Sequence, residues 1–136
     1  MSNEPSSQPI SPRRRRNRER MIQEILNTAR RIMRENGAAS LTMNELARRL
    51  EIKPPSLYNY FSGLMDIYDA LFRLGFVMWR KRMEEQEPGT QTWQDVVRRF
   101  METYLAFALE NPELYQLCFE RPIPGFIPSE PSLQIS

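Results

Sequence analysis

Between Pro54 and Phe61 the sequence reads PPSLYNYF, and its polar side chains are a hydroxyl (Ser56), a carboxamide (Asn59) and two phenols (Tyr58 and Tyr60). None of these groups is a ready general base at neutral pH. An asparagine amide can instead pair with adenine N6 and N7 in bidentate fashion, and hydroxyls and phenols can donate to phosphate oxygens. Upstream stand Arg13, Arg14, Arg15, Arg16, Arg18 and Arg20, a cluster dense enough to attract a polyanion. The chemistry on offer is recognition of a nucleic acid. Three other readings compete for the arginines: a solvated arm that aids solubility, an acidic protein partner, and an anionic lipid surface.

Catalysis has little to work with. The chain has no histidine, which removes the commonest general base and the commonest metal ligand together. No carboxylate pair, serine-base pair or glycine-rich phosphate loop stands out, so neither an enzyme, a metal nor a cofactor is expected. The single cysteine, Cys118, lies in an apolar stretch and reads as a buried thiol. No window approaches the roughly 18 uninterrupted apolar residues of a membrane span, and the N-terminus lacks an apolar leader, so a soluble cytoplasmic protein is expected. The net charge of +2 hides an asymmetry. Residues 1–61 carry 12 Lys and Arg against 6 Asp and Glu, whereas residues 62–136 carry 7 against 11.

The elements that must position these groups are helical throughout. Residues 1–12, rich in Ser, Pro and Asn, read as disordered, and residues 1–16 together as a disordered basic arm. From Asn17 an apolar stripe (Met21, Ile22, Ile25, Leu26, Ala29, Ile32, Met33) predicts a helix of about five turns, ended by Asn36-Gly37. Thr42 and Glu45 match a capping box, in which the threonine caps the helix and the glutamate reaches back to it, and a short helix follows over 43–50. Pro54 and Pro55 hold the chain extended through Pro54, and Pro55 suits the first position of a new helix. On that helix Leu57 and Phe61 face inward, Pro55, Ser56 and Asn59 outward, and Tyr58 and Tyr60 flank the outward face.

Further on, Leu64 to Met83 keep a spacing of three or four for about six turns, with Gly63 as cap. Glu87-Pro88-Gly89-Thr90 breaks that helix, and Thr92 with Asp95 starts a fifth, striped by Trp93, Val96, Val97, Phe100, Met101, Tyr104, Leu105 and Ala108. Asn111-Pro112 begins a short sixth, and the proline-rich residues 122–136 should form no ordinary helix. The expected fold is all-α: an N-terminal three-helix helix-turn-helix domain over 17–63, a partial helical regulatory domain over 64–121, and a tail over 122–136.

Two short helices joined by a tight turn, with a longer helix in front, make a helix-turn-helix unit. Its second helix can enter a major groove about 12 Å wide, with Ser56, Asn59 and Lys53 at base edges and Thr42, Tyr58 and Tyr60 at phosphates. Arg13, Arg14, Arg15 and Arg16 could follow a minor groove or the backbone.

The stretch LTMNELARRLEIKPPSLYNYF also resembles the DNA-binding region of the tetracycline-repressor (TetR) family, the likeness running from about Glu19 to Leu74 with Ser-Leu-Tyr-x-Tyr-Phe as its core. The resemblance implies phosphate contacts by Thr42, Tyr58 and Tyr60, and a groove surface of Pro54, Pro55, Ser56 and Asn59. Two positions depart from it. Glu51 stands where the family usually has a turn glycine, and Leu64 where many members have a phosphate-binding lysine. The Ser62-Gly63-Leu64 variant, and the stretch from Asn111 to Phe126, resemble the subgroup with a WHG-type C-terminal domain.

The resemblance further implies a repressor of double-stranded operator DNA, a small-molecule effector held in the helical second half, and a homodimer formed through two long final helices. This chain ends near where those helices would begin, so its regulatory domain is read as partial. Trp79, Phe100, Tyr104, Phe107 and Tyr115 are the candidate effector-pocket residues, although aromatic stripes more often form core. The rival reading is a helical interaction or dimerisation module whose basic arm binds acidic protein or lipid.

Overall fold

The computed structural model describes residues 11–86, 92–120 and 122–136. The disorder expected for residues 1–10 and the helix break expected at residues 87–90 lie outside them. The described residues are helical, with α1 (Pro12–Asn36), a 3-10 turn (Ala38–Ser40), α2 (Met43–Arg49), α3 (Pro54–Leu57), α4 (Leu64–Glu84), α5 (Trp93–Glu110), α6 (Pro112–Tyr115), a π-helical stretch (Gln116–Glu120) and α7 (Glu130–Ile135). Among the described residues no helix is long and apolar enough to cross a membrane.

The apolar stripe of α1 does what its spacing predicts: Ile25, Leu26, Ala29, Ile32 and Met33 are buried, against Leu46 and Ala47 of α2, Leu57 of α3 and Ile67, Leu71 and Phe72 of α4. The same core continues into the second half through Phe107, Leu114, Leu117 and Cys118. Helix α3 has too few residues to stand alone. Burial of its Leu57, worth roughly 1.5–3 kcal/mol, holds it to the body.

Several boundaries differ from the sequence reading. Helix α1 begins at Pro12 and not at Asn17, because Ser11 caps it, accepting from the Arg14 amide at 3.3 Å, and Pro12 occupies the first position. The basic stretch Arg13–Arg16 is therefore the first turn of a helix and not a disordered arm. Helix α3 starts at Pro54, one residue early, since Lys53 takes the extended conformation and the two prolines fill positions whose amides need no partner. The tail does form a short helix. Ser129 caps α7, Pro131 falls in its first turn where a missing amide costs nothing, and Asp69 of α4 anchors it by accepting from the Ser129 amide at 2.7 Å and hydroxyl at 2.8 Å.

Candidate nucleic-acid interface

The turn between α2 and α3 fixes how α3 leaves the body. Leu50 ends α2, and Glu51 then adopts φ 56°, the left-handed conformation usually reserved for glycine. Its amide donates to the Arg48 carbonyl at 3.2 Å and the Ile52 amide to the Ala47 carbonyl at 3.0 Å, the paired bonds of a Schellman motif. The residue with a Cβ at the glycine position is thus accommodated without a change of turn geometry.

Thr42 caps α2 as expected, accepting from the Glu45 amide at 3.1 Å. Glu45 does not return to the cap. Its carboxylate accepts from Arg48 at 2.6 and 2.9 Å and from Arg49 at 2.9 Å, charge-assisted bonds that outcompete a neutral amide. Those guanidinium bonds hold the Glu45 carboxyl at about 2, well below the ordinary range. A buried phenol secures the other end of the unit. Tyr68 of α4 donates to the Ala38 carbonyl at 2.9 Å and accepts from the Leu41 amide at 3.3 Å, pinning the turn that precedes α2. Burial pushes the Tyr68 phenol up, so it stays a donor.

On α3 and in the turn that follows it, Pro55, Tyr58 and Asn59 are exposed, Pro54, Ser56 and Tyr60 are half-buried, and Lys53 is exposed at the N-cap. The helix ends at Leu57, so Tyr58, Asn59 and Tyr60, expected on a helix that runs on to Phe61, stand in the turn after it, with Ser56 less open than Asn59. Leu64 is half-buried against the core, so an apolar contact takes the place of a phosphate-binding lysine. One connection was not foreseen. Arg18 of α1 donates to the Asn59 carbonyl at 3.2 Å and lies over the Tyr60 ring, 5.2 Å from its centroid. These two contacts place the basic end of α1 beside the outward end of α3.

The arginines divide into two groups. Arg30 and Arg34 are paired with Glu113, and Arg48 and Arg49 with Glu45 and Glu35. Among the described residues, Arg13, Arg14, Arg15 and Arg16 have no carboxylate at ion-pair distance, and all four are exposed. They also sit at a helix N-terminus, where the macrodipole disfavours cations and no acidic residue offsets them. A bound polyanion relieves both penalties.

The five aromatic residues expected around an effector do come together. Trp79 meets Phe100, Tyr104 and Phe107 edge-on at 5.7–6.1 Å, and the Tyr104 and Tyr115 hydroxyls are 2.8 Å apart. The rings fill the space between α4, α5 and α6 against one another. A cavity of about 260 Å³ lies beside them, lined by Phe76, Trp79, Arg80, Met83, Ile135 and Ser136.

Residues 25–71 match the family model described as bacterial regulatory proteins, tetR family. That segment, about a third of the chain, matches the family's N-terminal helix-turn-helix domain. Such a domain is a DNA-binding module of transcription regulation and not an enzyme. Among curated proteins, the chain is 25% identical over 116 residues to the HTH-type transcriptional regulator Rv1816 of Mycobacterium tuberculosis, covering 84% of this chain and 50% of that protein. It is 26% identical over 92 residues to the HTH-type transcriptional regulator YobS of Bacillus subtilis, covering 68% of this chain and 48% of that one. The chain spans about half the length of these relatives. Among solved structures, the regulatory protein SCO4313 superposes with a TM-score of 0.73 at 25% identity, over 90% of this chain and 58% of that one. A TetR-family transcriptional regulator from Haemophilus influenzae, HI0893, superposes with a TM-score of 0.59 at 21% identity, over 78% and 59%, and shares the all-helical fold.

Proposed function

We propose that this tetR-type chain is a repressor that reads double-stranded operator DNA in the cytoplasm and releases it when a small-molecule effector binds its helical second half. The observation that carries the reading is the surface formed by α3 and the start of α1, where Arg18 ties four exposed arginines to the outward face of the reading helix. Asn59, Ser56 and Lys53 meet base edges, with Pro54 and Pro55 against the groove wall. Thr42, Tyr58, Tyr60 and Arg13 to Arg16 hold the backbone. Two copies engage two half-sites, as helix-turn-helix proteins of this kind do.

The effector side rests on the aromatic cluster of Trp79, Phe100, Tyr104, Phe107 and Tyr115 and on the adjoining cavity. The stretch from Asn111 to Phe126 supports a WHG-type assignment of this half. A ligand that separates these rings would move α6, and α6 is bolted to α1 through Glu113. The effector thus favours one spacing of the reading helices over another, a shift of population between two arrangements.

Selection of binding sites from a random duplex library tests the reading. Enrichment of a two-fold repeat protected at both half-sites supports it, and a pool that stays random after repeated rounds contradicts it.

A further inference from the structure

The residue best suited to read a base does not stand on α3 itself. Helix α3 ends at Leu57, and Asn59 lies exposed in the turn that follows, with a carboxamide that makes no hydrogen bond among the described residues. A side chain in a turn is aimed by the backbone of that turn, which opens more easily than a packed helix. The amides of Asn59, Tyr60 and Phe61 bond back to the Ser56 and Leu57 carbonyls at 3.0–3.2 Å. Among the described residues, the hydrogen bond that holds this turn from outside comes from Arg18 of α1, 41 positions away in sequence. Its Nη2 donates to the Asn59 carbonyl at 3.2 Å, while the same planar guanidinium lies over the Tyr60 ring, 5.2 Å from the centroid.

Arg18 differs in this from the arginines around it. Among the described residues, the side chains of Arg13, Arg14, Arg15, Arg16 and Arg20 have neither a hydrogen-bond nor an ion-pair partner, so each is free to turn to a phosphate. Arg18 is engaged, and what it grips is the backbone of the residue that carries the base-pairing amide. We infer that Arg18 is a positioning residue for sequence reading: it fixes the Asn59 carbonyl from α1, sets the direction in which the Asn59 carboxamide leaves the surface, and acts on specificity through Asn59 and not on affinity through a phosphate. Pairing of an amide with adenine N6 and N7 is bidentate, so it tolerates little rotation of the turn. Lysine is no substitute at such a place. An ammonium keeps the charge, but it is not a flat group that lies on a ring face and donates sideways to a carbonyl at once. The inference rests on the DNA reading proposed above.

Anisotropy titrations of a selected and an unrelated duplex, each over a range of salt concentrations, separate the two roles. Arg18→Ala is expected to lower the ratio of the two affinities about tenfold, the size of a lost bidentate base contact, with the salt slope on the unrelated duplex unchanged. A lost phosphate contact instead weakens both duplexes alike and flattens that slope by about 0.9, which is the expectation for Arg14→Ala. Arg18→Lys should keep the slope and leave the ratio low. In an Asn59→Ala background Arg18→Ala should lower the ratio no further, because the group it aims is gone. Without DNA, hydrogen exchange at the Tyr60 and Phe61 amides should quicken in Arg18→Ala, while the amides of Ile25 and Leu71 in the core stay as protected as before. Equal losses on both duplexes with a flatter slope, a ratio fully restored by Arg18→Lys, or additive effects of Arg18→Ala and Asn59→Ala on the ratio would each overturn the inference. A selected duplex whose ratio survives Arg18→Ala sinks this inference alone. A protein that selects no duplex sinks the proposed function, and the exchange data then still decide whether Arg18 holds the turn.

Discussion

Arg30 of α1 reaches Glu113 of α6 across 83 positions of sequence, its Nε 2.9 Å from a carboxylate that has no exposed side-chain surface. Arg34, one turn on, donates to the other oxygen at 2.7 Å, and Arg30 also donates to the Asn111 side chain at 2.8 Å. The buried charge is thus doubly paired, and the pair joins the helix-turn-helix domain to the helical second half. Removing Glu113 deletes its charge-assisted bonds to two guanidinium groups and empties a fully buried site, while Arg30 and Arg34, 20% and 45% exposed, regain water. Glu113→Ala should lower stability by about 3 kcal/mol, read as a shifted urea midpoint with little change in slope. A loss below about 1 kcal/mol would mean that the two halves are held by apolar packing alone.

The left-handed conformation of Glu51 costs a residue with a Cβ about 1 kcal/mol that glycine does not incur. Glu51→Gly should therefore stabilise the protein by a few tenths to about 1 kcal/mol, less than the full strain because glycine also loosens the unfolded chain. Thermal unfolding checks it. A destabilised variant would show that the Glu51 side chain contributes a contact outweighing its backbone strain.

At Gly75, α4 passes so close to the π-helical stretch that an added Cβ would stand 2.4 Å from the Cys118 sulfur. Gly75→Ala should cost roughly 1–3 kcal/mol by overpacking. Shortening the opposing side chain relieves the clash, so Gly75→Ala/Cys118→Ala should be more stable than the two single losses add up to. Strict additivity would indicate that the helices simply move apart.

Glu45 gives the stability a defined acid limb. Its carboxyl is depressed in the folded state to about 2, from an ordinary value of 4.5, by the side-chain bonds of Arg48 and Arg49. A depressed carboxyl adds stability that is full above the unfolded value and fades as pH falls through the folded one. Glu45→Gln should therefore lose part of the drop in stability between pH 4.5 and 2 and leave the profile above pH 5 parallel to that of the unaltered protein. A carboxyl resonance of Glu45 that titrates at 4 or above would contradict this.

Most of the fold was legible because periodicity and caps are local. The stripe of α1, the Thr42 cap, the turn before α3 and the α5 start at Thr92 all follow from residues within one or two turns. What escaped is non-local or overrides a local cue. The charge of Arg13 to Arg16 suggested a solvated arm, yet Ser11-Pro12 is a helix start signal and arginine is a good helix former. Proline density hid α7, whose Pro131 sits where proline is harmless. Nothing near Glu113 in sequence points to Arg30 and Arg34, since the pairing depends on how α6 docks on α1. Arg18 could have been suspected from its place between the basic cluster and the core stripe, but its contact with Tyr60 needed the packed structure.

The most direct test is fluorescence anisotropy of a labelled operator duplex, titrated with the protein and with Asn59→Ala at two salt concentrations, each with excess unrelated DNA. Asn59→Ala should lose about 1–3 kcal/mol on the selected duplex and nothing on the unrelated one, with the salt slope unchanged. Replacing Arg13 to Arg16 by alanine should instead weaken both duplexes alike and flatten that slope. Binding that unrelated DNA removes completely, with Asn59→Ala indistinguishable from the unaltered protein, would contradict a reading surface on α3 and leave only a basic helix holding phosphates.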